Sequence, residues 1–259
     1  MTLSPVDIED LKLARNLLEN PGLAAKISHV FGAPIERGFA MLPEKWEAVV
    51  NDATRKSIAK ALQIALWTMD SGRLQPPSNR WHKLLAGTAG AAGGAFGLPA
   101  LSIELPVSTT IMLRSIADIA RSEGEDLTKA ETRLQCIQVL ALGGRSRNDD
   151  AAEAGYFAAR AAMARAVSDA AQHLAQKGFT NKGAPVIVRF ISQIASRFSL
   201  VVSEKIAAQA VPLVGAFGGA TINTIFIDHF QNMGKGHFTI RRLERVYGQA
   251  EVKRVYTSL

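Results

Sequence analysis

Two long stretches of this chain carry no charge, and that limits what it can fold into more than any other feature. Between Leu84 and Ile103, and again between Ile206 and Ile227, no Asp, Glu, Lys or Arg occurs. Both stretches are rich in glycine and alanine, and each contains the tetrapeptide Gly-Ala-Phe-Gly, at Gly94–Gly97 and Gly215–Gly218. Apolar segments of this length must leave water, either for a protein core or for a bilayer, which takes about 20 apolar residues to cross. In a helix Gly90 and Gly94 share a face, as do Gly93 and Gly97, and Gly215 and Gly219, with Gly218 alongside. Such stripes of small residues let a second helix approach closely. Glycine and alanine gain little from lipid. Pro99 and Pro106 also break the first run, and Gln209, Thr221 and Asn223 interrupt the second. The two runs therefore read first as buried helical hairpins, with membrane insertion as the alternative.

The remainder of the chain is punctuated as helices, and strand signals are scarce. Ser4-Pro5 with Asp7 supplies an N-cap, a first-turn proline and a capping acid. A helix from there carries Leu11, Leu13, Leu17 and Leu18 to a break at Asn20-Pro21-Gly22. Pro43 opens another, through Trp46, Ile58 and Leu62 to about Met69. Thr128 and Glu131 form a second capping-box pattern, and that helix stops at Gly143-Gly144. Asn148-Asp149-Asp150 caps an Ala-rich helix from Ala151 to about Gln176. A further one runs through Ile187, Ile191, Ile194 and Phe198. The tail from Phe238 to Tyr256 sets Leu243, Val246 and Val255 against Arg241, Arg242, Arg245, Lys253 and Arg254, a basic amphipathic helix. The pattern predicts an all-α multi-helix bundle of about eight to ten helices, with the two glycine-rich apolar hairpin segments packed together. The segment Ser71–Ser78, with Pro76 and Pro77, divides an N-terminal helical segment (1–75) from a longer helical core (76–259). The two read as one continuous domain.

Charge and chemistry narrow the function classes. With 30 Lys and Arg against 23 Asp and Glu the net charge is +7, which favours an anionic membrane face or nucleic acid as partner. No dense basic run with interleaved aromatics occurs, so nucleic acid is the weaker reading. The start has neither the basic nor the apolar region of a signal peptide, and the expectation is a cytoplasmic protein, peripheral to the inner membrane if it associates with one. Cys136 is the single cysteine, and its apolar neighbours read as a small buried hydrophobe. None of the five histidines pairs at His-x-x-x-His spacing, so no metal is expected, although Asp228, His229 and His237 would approach one another if the chain turned at Gly234 or Gly236. Neither a Gly-x-Ser-x-Gly elbow nor a P-loop or dinucleotide fingerprint is present. No catalytic residues and no cofactor follow from the sequence.

Several blocks, in order along the chain, carry a resemblance. They are Gly32-Ala33-Pro34-Ile35-Glu36-Arg37-Gly38 with Leu42-Pro43 and Trp46; Ala89 to Pro106 running into Thr109–Ala117; and Leu140–Gly144 with Gly155-Tyr156 and Ala158–Ala161. The last block runs from Val202-Ser203-Glu204-Lys205 through Gly218–Asn223 to His229-Phe230-Gln231, Gly236-His237-Phe238 and Arg241–Glu244. Together they resemble the EcsC family, named after a protein encoded beside the ATPase and membrane subunits of an ABC exporter. The resemblance supplies no catalytic residues. It implies a candidate ligand-binding set drawn from the polar positions of its motifs: Glu36, Glu104, Arg114, Glu204, Lys205, Asn223, His229, His237 and Arg241. It also favours a non-enzymatic, membrane-associated accessory protein, with an anionic membrane surface or a transporter as partner. Two alternatives stand beside it. One is a lipid- or small-molecule-binding protein or enzyme with a pocket between the glycine-rich segments, lined by Glu104, Arg114, His229 and His237. The other is a membrane-inserting effector.

Overall fold

The computed structural model describes residues 2–19, 22–32, 35–68, 98–143, 155–178 and 184–259, and among them lie ten helices and no strand. They are α1 (Pro5–Glu19), α2 (Leu23–Phe31), α3 (Glu36–Ala40), α4 (Trp46–Thr68), α5 (Leu98–Ser122), α6 (Ala130–Leu142), α7 (Gly155–Lys177), α8 (Pro185–Ala210), α9 (Pro212–Tyr247) and α10 (Gln249–Ser258). The Ser71–Ser78 break and Gly90, Gly93, Gly94 and Gly97 fall outside the described residues. The second apolar run is divided at Val211 between the end of α8 and the start of α9, and Gly218 and Gly219 are buried on α9.

Local chemistry accounts for the starts of α1, α8 and α9. The Ser4 hydroxyl accepts a hydrogen bond from the Asp7 backbone N–H at 3.2 Å and donates to the Asp7 carboxylate at 2.6 Å, with Pro5 in the first turn. Pro185 and Pro212 occupy the first turns of α8 and α9. Thr128 does not cap α6. Its N–H and hydroxyl both bond back to Asp126, at 3.0 and 2.6 Å, and Lys129 is the N-cap. Pro106 does not break the first run either, because α5 continues through it. The missing proline N–H removes one helical bond, and the Ser108 hydroxyl donates to the Glu104 carbonyl (3.0 Å) while the Thr110 hydroxyl donates to that of Pro106 (2.7 Å).

Helix α8 is the axis of the assembly, packing against α2, α3, α4, α6, α7 and α9. Helix α9, at 36 residues and roughly 54 Å, runs past α1, α2, α5 and α6. It passes straight through Gly234 and Gly236, so the chain makes no turn there, and His229 and His237 stand about 12 Å apart along one rod. The break comes instead at Gly248, whose φ of 84° suits glycine alone. One hydrophobic core runs through helices on both sides of the Ser71–Ser78 break.

Close helix approach through glycine occurs at positions other than the stripes of the apolar runs. A methyl group at Gly38 would lie 1.8 Å from the Ala207 carbonyl oxygen, so α3 rests with its backbone on α8. At Gly236 it would meet the Leu18 side chain at 2.6 Å and the Ala14 carbonyl oxygen at 2.9 Å, which seats α1 on α9.

Candidate functional site

Three of the nine candidate residues meet in the core where α5, α8 and α9 come together. Lys205, fully buried, donates from Nζ to Glu104 Oε1 at 2.5 Å and to Asn223 Oδ1 at 2.9 Å, and the same ammonium lies 4.8 Å from the centre of the Phe226 ring. A cation placed this deep is tolerable only with a carboxylate and further acceptors around it. The triad fixes three helices by charge and direction, and it leaves the Lys205 ammonium no path to solvent.

His237 and Arg241, one turn apart on α9, belong to a second network. His237 Nε2 faces Gln135 Oε1 at 3.2 Å, and an amide oxygen only accepts, so Nε2 carries the proton and Nδ1 accepts from the Tyr156 hydroxyl at 2.9 Å. Burial holds the His237 pKa well below its ordinary value and pushes that of Tyr156 up to about 12. Arg160 donates to the same hydroxyl at 3.4 Å and forms two 2.7 Å bonds to Glu244. Arg241 is paired through Nε and Nη2 with Glu125, which also receives Arg245. Burial opposes the Glu125 charge, but Arg241 and Arg245 hold its carboxyl below the usual range. Arg242 binds Asp10, Glu123 and Asp7 at 2.6, 2.8 and 3.4 Å. The arginines of the tail are therefore largely neutralised within the molecule, rather than forming a free basic face.

His229 stands alone on the far side. Its Nε2 donates to the Gly143 carbonyl at 3.0 Å, its Nδ1 has no partner, and burial lowers its pKa to about 4. Arg114 is exposed on α5 and joins none of these groups.

Glu36 and Glu204, distant in sequence, share a cavity of about 730 Å³ between α2, α3, α4 and α8. Glu47 joins them, and Phe39 and Trp46, with ring centres 5.6 Å apart, form an aromatic wall. Glu204 accepts the Ala24 backbone N–H at 3.1 Å, and burial raises its pKa. Among the described residues none of the three carboxylates meets a Lys or Arg. A second cavity, of about 690 Å³, lies between α6, α7 and α9, and Arg160 and Arg241 line it. Glu104, Arg114, His229 and His237 line neither of these two cavities.

The residues that reasoning from sequence did not single out are Gln135, Gln138, Tyr156, Arg160, Glu125 and Glu244. Tyr156, Arg160 and Glu244 lie within the motif blocks that carry the family resemblance. The signal for Tyr156 and Arg160 was their spacing at i, i+4 on an alanine-rich helix. Gln135 and Gln138 gave no signal, since polar residues on a short helix ordinarily mark its wet side.

Among the described residues the chain is helical and is tied together by buried ion pairs. The chain belongs to the EcsC protein family, whose model matches residues 8–243, from α1 through most of α9. No curated protein and no solved structure matches it.

Proposed function

We propose that this EcsC-family protein is a non-enzymatic binding protein for an organic ammonium ion, held in the cavity between α2, α3, α4 and α8. One observation carries the reading: half-buried Glu204 lines the cavity with Glu36 and Glu47 at its exposed edge, and none of the three has a cationic partner among the described residues, in a chain whose net charge is +7. Elsewhere the buried carboxylates of Glu104, Glu125 and Glu244 each take a Lys or Arg. Trp46 and Phe39 offer the aromatic faces that attract a desolvated cation, and a cation beside Glu204 would reverse the rise in its pKa. The volume falls within the ordinary range of small-molecule sites. Titration of Trp46 fluorescence with choline tests it, with Trp46→Phe to assign the signal. A saturable change that Glu204→Gln weakens at least tenfold supports the reading. No saturable change, or one indifferent to Glu204→Gln and Glu36→Gln, defeats it.

A second reading is peripheral association with an anionic membrane, and through it with a transporter. Its support is Ile103 and Val107, 76% and 47% exposed one turn apart on α5, with exposed Arg114 further along the same stripe. Helix α8 is also long and apolar enough to cross a bilayer by length and composition, though it forms the central packing helix here. Flotation with phosphatidylglycerol vesicles tests this reading: Ile103→Glu should abolish co-flotation, and failure of the unmodified protein to float would end it.

A further inference from the structure

Helices α9 and α10 are separated by a single residue. Gly248 ends the first and starts the second with φ 84° and ψ 149°, a conformation that is essentially glycine's alone. The Gly248 N–H closes the last bond of α9, to the Glu244 carbonyl at 2.9 Å, and the Val252 N–H makes the first bond of α10, to the Gly248 carbonyl at 3.2 Å. Between them the N–H groups of Gln249, Ala250 and Glu251 meet no backbone carbonyl among the described residues, and no side chain caps α10. The carbonyls of Arg245, Val246 and Tyr247 likewise receive no N–H across the bend. Each of these donors follows one of these acceptors by four positions, the spacing of an α-helix. Helical angles at Gly248 would therefore join all three pairs and fuse α9 and α10 into one rod over 212–258.

The bend persists because of what α10 covers. It folds back on α9 and buries Val252 and Tyr256. The Tyr256 hydroxyl donates to Glu19 Oε1 at 2.8 Å, its ring meets Phe157 edge to face with centres 5.0 Å apart, and the Arg15 guanidinium lies 5.6 Å from the ring centre. Arg15 and Glu19 stand on α1 and Phe157 on α7, so the pocket that receives Tyr256 belongs to the body of the molecule and not to the segment that bends. Every copy of the chain presents the same pocket. An α10 from a second copy would find there the contacts that the first one makes.

We propose that α10 is an exchangeable arm, and that two copies of this chain dimerise by each placing its Tyr256 in the other's pocket of Arg15, Glu19 and Phe157, with α9 and α10 straightened through Gly248. The exchange keeps the contacts of the arm and adds three helical bonds in each chain. Its cost is the lost independent motion of two molecules, which concentration offsets. The interface is isologous and closes with two chains. It shares no residue with the acidic cavity and stands or falls without it.

Sedimentation velocity over rising concentration, on the full chain and on Gly248→Ala, tests the exchange. Alanine is strained in the bend and favours the straight helix. The unmodified protein should shift from 27.8 kDa toward twice that mass as its concentration rises, and Gly248→Ala should do so with a Kd at least tenfold lower. Adding Phe157→Ala to Gly248→Ala damages the receiving pocket and should weaken that dimer at least tenfold, with circular dichroism checking that the helices remain. Two glycines inserted after Gly248 of the otherwise unmodified chain ease the bend and interrupt the rod. They should weaken dimerisation at least tenfold, a result that does not depend on the alanine variant folding. The proposal is overturned if the unmodified protein stays monomeric throughout, if Gly248→Ala dimerises no more tightly than its parent, or if dimerisation ignores Phe157→Ala or the inserted glycines.

Discussion

Replacing Lys205 by methionine tests whether the polar triad is an interaction between specific partners or merely tolerated in the core. Lys205 is fully buried and the Glu104 side chain is 6% exposed, so removing the cation strands a carboxylate among α5, α8 and α9. Breaking a buried pair in this way costs about 3–5 kcal/mol. In a chain of this size each kcal/mol moves the thermal midpoint by about 2–4 °C, so Lys205→Met should melt roughly 6–20 °C lower. Glu104→Leu should cost a similar amount, because Lys205 keeps only the Asn223 oxygen and the Phe226 ring. In the double variant both charges are gone and two apolar side chains of similar volume fill the space. Asn223 then lacks the lysine, a loss of about 1–3 kcal/mol, which the removal of two desolvated charges offsets. The double variant should therefore lie within about 2 kcal/mol of the parent, giving a coupling of at least about 4 kcal/mol. Equilibrium urea unfolding followed by far-ultraviolet circular dichroism, with m-values compared across the cycle, measures it. If the double variant loses the sum of the two single losses, Glu104 and Lys205 do not act on each other and the account of the triad is wrong.

Two glycines on α9 should respond with opposite signs. Gly236→Ala forces a methyl against Leu18 and the Ala14 carbonyl and should cost about 1–3 kcal/mol, whereas Gly234→Ala finds Ile116 no nearer than 3.5 Å and should gain up to about 1 kcal/mol in helix propensity. Thermal unfolding of the two variants side by side decides it. Falling pH should weaken the fold before the carboxylates titrate. His229 is held neutral down to about 4 against an ordinary 6.5, so between those values the unfolded chain binds a proton that the folded chain refuses, and about 3 kcal/mol is lost as pH falls through the window. His237 adds to the same trend, and urea midpoints at stepped pH should show a slope that His229→Gln reduces. Arg242→Met releases Asp7, Asp10 and Glu123 at once and should cost about 1–2 kcal/mol, read as an earlier urea midpoint and faster proteolysis of α1.

What periodicity and capping residues reveal is the helix itself and the face that is buried, and here they succeeded at Ser4 with Pro5 and Asp7. They do not reveal which helix lies against which. Glu104 and Lys205 stood out because they bracket uncharged runs, and they do meet. Arg114, grouped with them, follows Glu104 by ten positions, about 80° around the axis from it, and that rotation carries it to solvent. The partners of the tail arginines were hidden for a different reason. Arg241 and Glu125 are 116 positions apart, and Arg242 and Asp10 are 232 apart, so nothing local distinguishes a paired basic face from a free one. Helix α6 defeats amphipathic reasoning altogether. It is buried all round, from Thr132 to Leu142, so Arg133, Gln135 and Gln138 look like a wet side and are not one. Arg133 donates to the carbonyls of Leu127, Leu66 and Thr128. Among the described residues, Gly38 and Gly236 allow close packing, and neither lies in the two repeated Gly-Ala-Phe-Gly motifs.

The joining of the first helix to the last ones sets a timetable for synthesis. Helix α1 seats in the groove over Gly236, and its Ser4, Asp7, Asp10 and Glu19 are held by Tyr247, Arg242 and Tyr256. At 5–20 residues per second the ribosome needs roughly 12–46 seconds to travel the 232 positions from Asp10 to Arg242. For all of that interval α1 has been made without the α9 residues that hold it, with Leu11, Ala14 and Leu18 not yet covered by them. Helix α1 is made long before the helix it docks on, and until then the nascent chain presents a sticky amphipathic arm to whatever chaperone or membrane surface stands at the tunnel exit.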